Sequence, residues 1–320
     1  MTYRASMAQA NPSHHSSHLT QAAELSHPAN LSIASGINLQ TPHANVLGVR
    51  VDAVTMAGAL ERIKRSLASR QKGYICLAGV HGIMEAQRNP AVKSAFADAF
   101  LTLPDGTPTV WVGRWQGLPW MQRLTGPDLM LEIFRSKQFA GCSHFLYGGK
   151  PGVAEELAAS LSRQFPSVHI AGTYTPPFHD LTVAEERALI STIRNLRPHI
   201  IWVGISTPRQ EMFMQKMLPK LDTLLMFGVG AAFDFHTGRI RDCAEWIKRA
   251  GLQWMHRLVQ DPRHLIWRYA RNNPAFMWQI ALQLAGFAVY ETQSHSVVLS
   301  QESQCLPKHN PDFCTGENYG

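Results

Sequence analysis

Residues 144–164 read His144-Phe-Leu-Tyr147, Gly148-Gly-Lys-Pro-Gly152, then Val153-Ala-Glu-Glu-Leu-Ala-Ala-Ser-Leu-Ser-Arg-Gln164. The first run is short and rich in residues that suit a pleated, buried surface. The last places Val153, Leu157 and Leu161 four apart, on one face of a helix. Between them lies a glycine-rich turn. The reading is strand, turn, helix.

The same unit recurs outward from there. Toward the C-terminus, Val168–Ala171, Ile200–Val203 and Thr223–Phe227 read as strands, with helices over Ala184–Leu196 and Glu211–Leu218. Toward the N-terminus, Leu101–Leu103, Tyr74–Ala78 and Val46–Val51 read as strands. Helices are predicted over Ala91–Ala99, Gly82–Arg88 and Thr55–Arg70, the last capped at its start. Short apolar strands alternating with helices predict an α/β fold, a Rossmann-like doubly wound and mostly parallel sheet covered on both faces. From Arg239 the pattern changes: Trp246–Arg271 and Pro274–Tyr290 read as helices with no strands between them. The expected organisation is a disordered arm over 1–44, a Rossmann-like domain over 45–238, a C-terminal helical appendage over 239–290 and a disordered tail over 291–320.

The bulk numbers bound the function. The chain has 320 residues, 45% of them hydrophobic and 17% charged, as in an ordinary globular protein. A formal charge of +7 and a pI near 9.3 favour an anionic partner: a nucleotide, a nucleic acid or an acidic membrane surface. The cysteines at 76, 142, 243, 305 and 314 form no CxxC pair and no zinc-like spacing, so reduced thiols are expected. His14, His15, His18, His27 and His43 fall in the polar leader, which predicts no structured metal site. The leader lacks the apolar run of a secretory signal. No stretch reaches eighteen uninterrupted apolar residues; Ala275–Tyr290, broken by Gln279 and Gln283, is short for a span but suits an interface.

In a doubly wound sheet, ligands lie where strand ends lead into helix N-termini. Gly148-Gly149 in the turn above suits a close approach to phosphate, although Pro151 rules out a Walker loop. Gly228-Val-Gly230 nears a dinucleotide fingerprint but carries Phe233 where the third glycine belongs. For either loop, a turn that simply needs glycine is an equal reading. Thr207-Pro-Arg-Gln-Glu211 opens a helix; capping explains Pro208 and Glu211 but not Arg209 or Gln210. Leu103-Pro-Asp-Gly106 sets Asp105 at a strand end, where a plain turn is the alternative, and Asp128 reads first as a helix cap.

Together, and in order, these segments resemble the WecG/TagA/CpsF family of bacterial cell-surface polysaccharide glycosyltransferases (glycosyltransferase family 26). The likeness runs from about Val46 to Phe276. It rests on Leu103-Pro-Asp-Gly106, Gly126-Pro-Asp-Leu-Met130, Leu146–Glu155, Val203–Glu211, Gly228-Val-Gly-Ala-Ala-Phe-Asp-Phe235 and Gly251-Leu-Gln-Trp254, followed by Arg257 and Asp261-Pro-Arg263. The resemblance implies an inverting transfer from a UDP-sugar donor, N-acetylmannosamine-type or glucose, to an undecaprenyl-diphosphate-linked saccharide. It implies Asp105 as the base and Gln210 as an active-site polar group. Arg257, Arg263 and Arg268 would meet the donor diphosphate at the membrane surface. Gly106, Asp128, Gly148, Gly149, Arg209, Gly228, Gly230 and Asp234, standing in or beside the shared motifs, complete the candidate substrate-binding set. One departure stands out: where many relatives carry Thr-x-Asn, this chain reads Gly79-Val-His81, so His81 is either a substitute sugar contact or a local hydrogen-bonding group.

The chemistry is consistent with that set. One placed carboxylate can take the acceptor proton, and the diphosphate leaving group needs its charge stabilised. No Asp-x-Asp pair occurs, so transfer is expected without a metal or other cofactor. From Arg239 to Arg271 there are eight Lys/Arg against three Asp/Glu, with Trp246, Trp254, Trp267 and Trp278 near them. Arginine suits phosphate and tryptophan suits a lipid–water interface. The expectation is a cytoplasmic protein lying peripherally on the membrane, homo-oligomerisation left open. The rivals are a nicotinamide-dependent oxidoreductase, whose fingerprint is incomplete, a nucleic-acid-binding protein, which the strand-end loops do not require, and a non-catalytic scaffold.

Overall fold

The computed structural model describes residues 42–292; the expected tail from 293 and the arm up to 41, with Cys305 and Cys314, lie outside the described residues. The chain opens with β1 (His43–Val46) and β2 (Val49–Asp52), followed by α1 (Met56–Ala68), β3 (Gly73–Ala78), α2 (Val80–Arg88), α3 (Pro90–Ala97) and β4 (Leu101–Pro104). Next come α4 (Thr107–Trp115), α5 (Gly126–Arg135), β5 (Ser143–Gly148), α6 (Val153–Gln164), β6 (His169–Tyr174) and α7 (Val183–Leu196). The rest is β7 (Ile200–Gly204), α8 (Arg209–Met217), β8 (Leu225–Gly228), α9 (Ala232–His236), α10 (Glu245–Arg249), α11 (Gln253–Gln260) and α12 (Pro262–Leu284).

Six strands form one all-parallel sheet in the order β4-β3-β8-β7-β5-β6. Every residue of β3 and β5 is buried, as a sheet covered on both faces requires. Alternate side chains feed two cores. Tyr74, Cys76 and Ala78 of β3, with Ile201 and Val203 of β7, pack beneath α2, α3 and α8. Ile75 and Leu77, with Ile200 and Trp202, pack against α1, α5 and α6. Cys76, Cys142 and Cys243 are buried.

Three expectations are corrected. The single strand over Val46–Val51 is instead the end of the first arm, the turn and most of the second arm of an antiparallel hairpin, because Leu47 (φ 52°) and Gly48 (φ 78°) take the left-handed conformations of a two-residue turn. That conformation, strained for leucine, is held by tertiary bonds: Leu47 N–H donates to Gln283 Oε1 (3.0 Å) and Leu47 O accepts from Gln87 Nε2 (2.7 Å). Pro274 does not begin a helix; it lies within α12, and the breaks fall at Gly251 (φ 73°) and before Pro262. Helices α2 and α8 begin two residues earlier than expected, so His81, Arg209 and Gln210 belong to first helical turns rather than to loops.

The C-terminal helices are not uniform. Phe276 and Ile280 of α12 join the core beneath α2, whereas α11 has no buried residue. Among the described residues, no helix is long and apolar enough to cross a membrane.

Candidate active site

Reading across the sheet, the pair β4-β3 meets the last strand, β8. The connection from β3 leads to β4 on one side, and the chain returns through β7 to β8 on the other. A crevice above the C-terminal strand ends is where this architecture binds ligands. A cavity of about 460 Å³ lies there, with Asp105, Gly228 and Gln210 in its wall. Its far side comes from α11 and α12, which contribute Arg257, Arg268 and Asn272.

Asp105 follows β4 directly, and its N–H donates to Ala78 O of β3 (3.2 Å). Gly106 (φ 104°, ψ 150°) then turns the chain into α4, a backbone state open essentially only to glycine. The neighbouring strand end must be bare as well. A Cβ on Gly79 would lie 3.0 Å from Asp105 O and 3.6 Å from its Oδ2. Burial pushes the Asp105 carboxyl up to about 6; Arg257 and Arg123 oppose that rise and Asp128 adds to it. The group is therefore ionised at neutral pH yet still holds a proton well, as a general base must.

Three guanidiniums line this cavity: Arg123, Arg257 and Arg268. Arg257 sits over the Phe235 ring and Arg268 over the Tyr269 ring, each 5.6 Å from the centroid. The Arg268 Nε is buried without a hydrogen-bond partner. Arg123 is hydrogen-bonded to Gln253 Oε1 and lies 3.9 Å from Asp128.

A compact polar corner closes the floor. Gln210, 2% exposed, accepts from Gly230 N–H (3.0 Å) and donates to Glu211 Oε1 (3.0 Å). The same carboxyl oxygen accepts from Thr207 Oγ1 (2.9 Å). Glu211 is fully buried, Oε2 has no partner, and burial raises its pKa. Glu211 was expected as a cap. It instead fixes the amide of Gln210, which in turn holds the Gly228–Gly230 loop.

Of the residues singled out in the sequence, His81, Asp105, Gly106, Gln210, Gly228, Gly230, Arg257 and Arg268 come together in the cavity wall. The others stand outside it. Asp128 accepts from Thr125 Oγ1 (2.6 Å) while its own N–H donates to that oxygen, which is the capping arrangement. Gly148 and Gly149 serve packing: a Cβ on Gly148 would lie 2.5 Å from Gly204 O, and one on Gly149 would lie 2.9 Å from Val153 Cβ. Arg209 turns to the loop after β6, reaching Phe178 O (3.4 Å) and Asp180 (3.9 Å). Asp234 lies on the short helix α9, and Arg263 is exposed at the start of α12. Sequence reading missed Arg123 and Asn272. Arg123 stands just before the Thr125-Gly-Pro-Asp128 motif, and that position is the one signal it offered. Asn272 offered none.

A Rossmann-like sheet whose C-terminal strand ends open on a carboxylate faced by arginines defines a class: a protein whose cavity suits an anionic ligand. Comparison with known proteins makes this specific. The chain matches the glycosyl transferase WecG/TagA/CpsF family over residues 44–288; it belongs to that family and is a glycosyltransferase. Among its relatives are three proteins named N-acetylglucosaminyldiphosphoundecaprenol N-acetyl-beta-D-mannosaminyltransferase. The one from Bacillus spizizenii is 26% identical over 219 residues, 68% of this chain and 82% of its own length. The Staphylococcus aureus protein is 24% identical over 243 residues, 75% of this chain and 93% of its own. The Bacillus subtilis protein is 27% identical over 169 residues, 53% and 62% respectively.

Proposed function

We propose that the protein transfers a sugar, N-acetylmannosamine-type or glucose, from a UDP donor to a polyprenyl-diphosphate-linked saccharide, with inversion at the anomeric carbon. The observation that carries this reading is the Asp105 carboxyl, held near pH 6 opposite three guanidiniums in one cavity. Asp105 takes the proton of the acceptor hydroxyl as that oxygen bonds to the anomeric carbon. The bond from that carbon to the diphosphate breaks, and UDP leaves with the electron pair. Arg257, Arg268 and Arg123 take up the charge that develops on the leaving group, each fork able to hold two phosphate oxygens. The relatives' names supply the acceptor class, a saccharide on a diphosphoundecaprenol.

Residues 239–290 serve, in this reading, as a membrane-proximal appendage that brings the cavity to a lipid-borne substrate. Trp246, Trp254, Trp267 and Trp278 are all exposed, as are Val259 and Ile266, so core packing does not account for them. Indoles beside cations suit a headgroup layer. The reaction proceeds without a metal, because the guanidiniums supply the charge a metal otherwise would.

The test is incubation with a panel of UDP-sugars and a lipid-diphosphate-sugar acceptor, with and without EDTA. Inverted product at equal rates in both is expected. No product with any UDP-sugar refutes the donor, and loss of product in EDTA refutes metal independence.

A further inference from the structure

Ser206 stands just beyond the C-terminal end of β7, exposed in the same cavity wall as His81 and Gln210. Its backbone is left-handed, with φ at 66°. In that region a side chain crowds the following carbonyl, so serine is strained where glycine is not. Among the described residues, three other non-glycine residues share the conformation, and each closes an element. Leu47 makes the hairpin turn. Arg70 ends α1, where its N–H donates to Leu67 O (3.1 Å) and Gln71 N–H donates to Ser66 O (2.9 Å). Arg197 is the left-handed cap of α7. Ser206 instead lines the cavity.

The chain on either side of it is pinned. Gly204 O accepts from Gly149 N–H (3.1 Å), and Ser206 O accepts from Gln210 N–H (3.0 Å). The Thr207 methyl packs on α2, 3.3 Å from where a Cβ on Gly82 would lie. The turn from β7 into α8 therefore fixes the conformation, and glycine would fill it with least strain. That turn calls for no hydroxyl. The polar side chains around it already have protein partners. Thr207 Oγ1 and the Gln210 amide are bonded to Glu211 Oε1 (2.9 and 3.0 Å). The His81 ring meets Asn272 Nδ2 at 3.2 Å and also bonds the Thr207 backbone, and Asn272 Oδ1 accepts from Arg88 Nη2 (2.8 Å). The Ser206 hydroxyl has no partner among the described residues.

We propose that Ser206 is a substrate-binding residue: its hydroxyl, presented by the left-handed turn, hydrogen-bonds the nucleotide of the donor. The proposal rests on the UDP-sugar reading above. The turn lies at a strand end, where doubly wound sheets take nucleotides, whereas the lipid-borne acceptor arrives from the side of residues 239–290. A hydroxyl both gives and accepts, so it can serve the oxygens of a nucleotide whether they carry a proton or not. The strain is then kept for binding.

Calorimetric titration with UDP, paired with thermal unfolding, tests this. Ser206→Gly relieves the backbone and removes the hydroxyl, so stability and binding should move in opposite directions. Its Tm should rise by about 1–3 °C, while its Kd for UDP rises roughly three- to tenfold, the scale of one hydrogen bond. Ser206→Ala removes the hydroxyl but keeps the strain; its Kd should rise as far, with little change in Tm. An unaltered Kd in Ser206→Ala overturns the proposal, even where Ser206→Gly binds weakly, because the loss then comes from a loosened turn. A higher KM for the acceptor at unchanged UDP affinity overturns it as well, since the hydroxyl then meets the other substrate. An unmodified protein that binds no UDP overturns the donor reading, and this contact with it.

Discussion

The polar corner at Thr207–Glu211 and the arginine rim from α11 and α12 share one cavity but are built in opposite ways. The corner is made of near-consecutive residues, buried and bonded to one another, with Glu211 Oε1 receiving two donors. The rim is assembled from distant helices, and Arg257 comes from one with no buried residue. Its cations are held by ring contacts and by the charge opposite them rather than by networks. A buried network permits one arrangement, whereas half-buried guanidiniums outside such a network can re-aim as a diphosphate arrives and leaves. The difference separates two tasks: the sheet side fixes where the proton goes, and the helical side follows the charge.

The largest effect should come from the carboxylate between them. Asp105→Asn should lower turnover by about 10²–10⁴-fold while UDP binding, followed by calorimetry, persists. The same variant should be more stable. A carboxyl raised from its ordinary range to about 6 binds more protons folded than unfolded, so stability falls as pH rises from about 4 to 6. Removing that charge should return about 3 kcal/mol at pH 7, read by denaturant unfolding. A variant that is both active and no more stable contradicts the role and the burial together.

Removing one rim cation comes next. Arg257→Ala or Arg268→Ala should cost about 10²-fold in kcat, the scale of one lost charge-stabilising donor, with unfolding barely changed. The corner should behave in the reverse sense. Glu211→Leu strands the Gln210 amide and should cost about 1–3 kcal/mol of stability, whereas Glu211→Gln keeps an acceptor and should cost less. If the rim variants unfold and the corner variants do not, the division of labour is wrong. The smallest effect on the fold should be at the surface: Trp267→Ala should change stability by no more than about 0.5 kcal/mol. Its binding to anionic vesicles, measured by co-sedimentation, should weaken nonetheless; unchanged binding would detach the exposed tryptophans from the membrane.

How much of this was legible in the sequence follows the same division. The sheet was, because its strands are continuous apolar runs set by local pattern, and so was the Pro-Asp-Gly corner of Asp105. What depended on distant partners was not. Leu47 reads as strand until Gln283, far along the chain, holds it in a turn. Gln283 itself reads as a break in an apolar helix, yet it anchors α12 to the hairpin through Leu47 N–H and Asn45 O. Arg209 and Gln210 are neighbours with equal claims on the cavity. A helix turns about 100° per residue, and only the finished packing decided that Gln210 faces in and Arg209 reaches Asp180. Asn272 lies in a helix read only for its cations and aromatics, and its partners sit nearly two hundred positions away.

The two sides of the cavity meet electrostatically at Asp105, where Arg257 from the helical side lowers the proton affinity that burial on the sheet side raises. The pH dependence of kcat/KM, compared between the unmodified enzyme and Arg257→Gln, reads that meeting point most directly. The account predicts a rise in rate with pH through about 6 in the unmodified enzyme, and a shift of that rise to higher pH once the cation is gone. A limb that stays in place in Arg257→Gln, or no limb near that pH at all, would contradict Asp105 as the base.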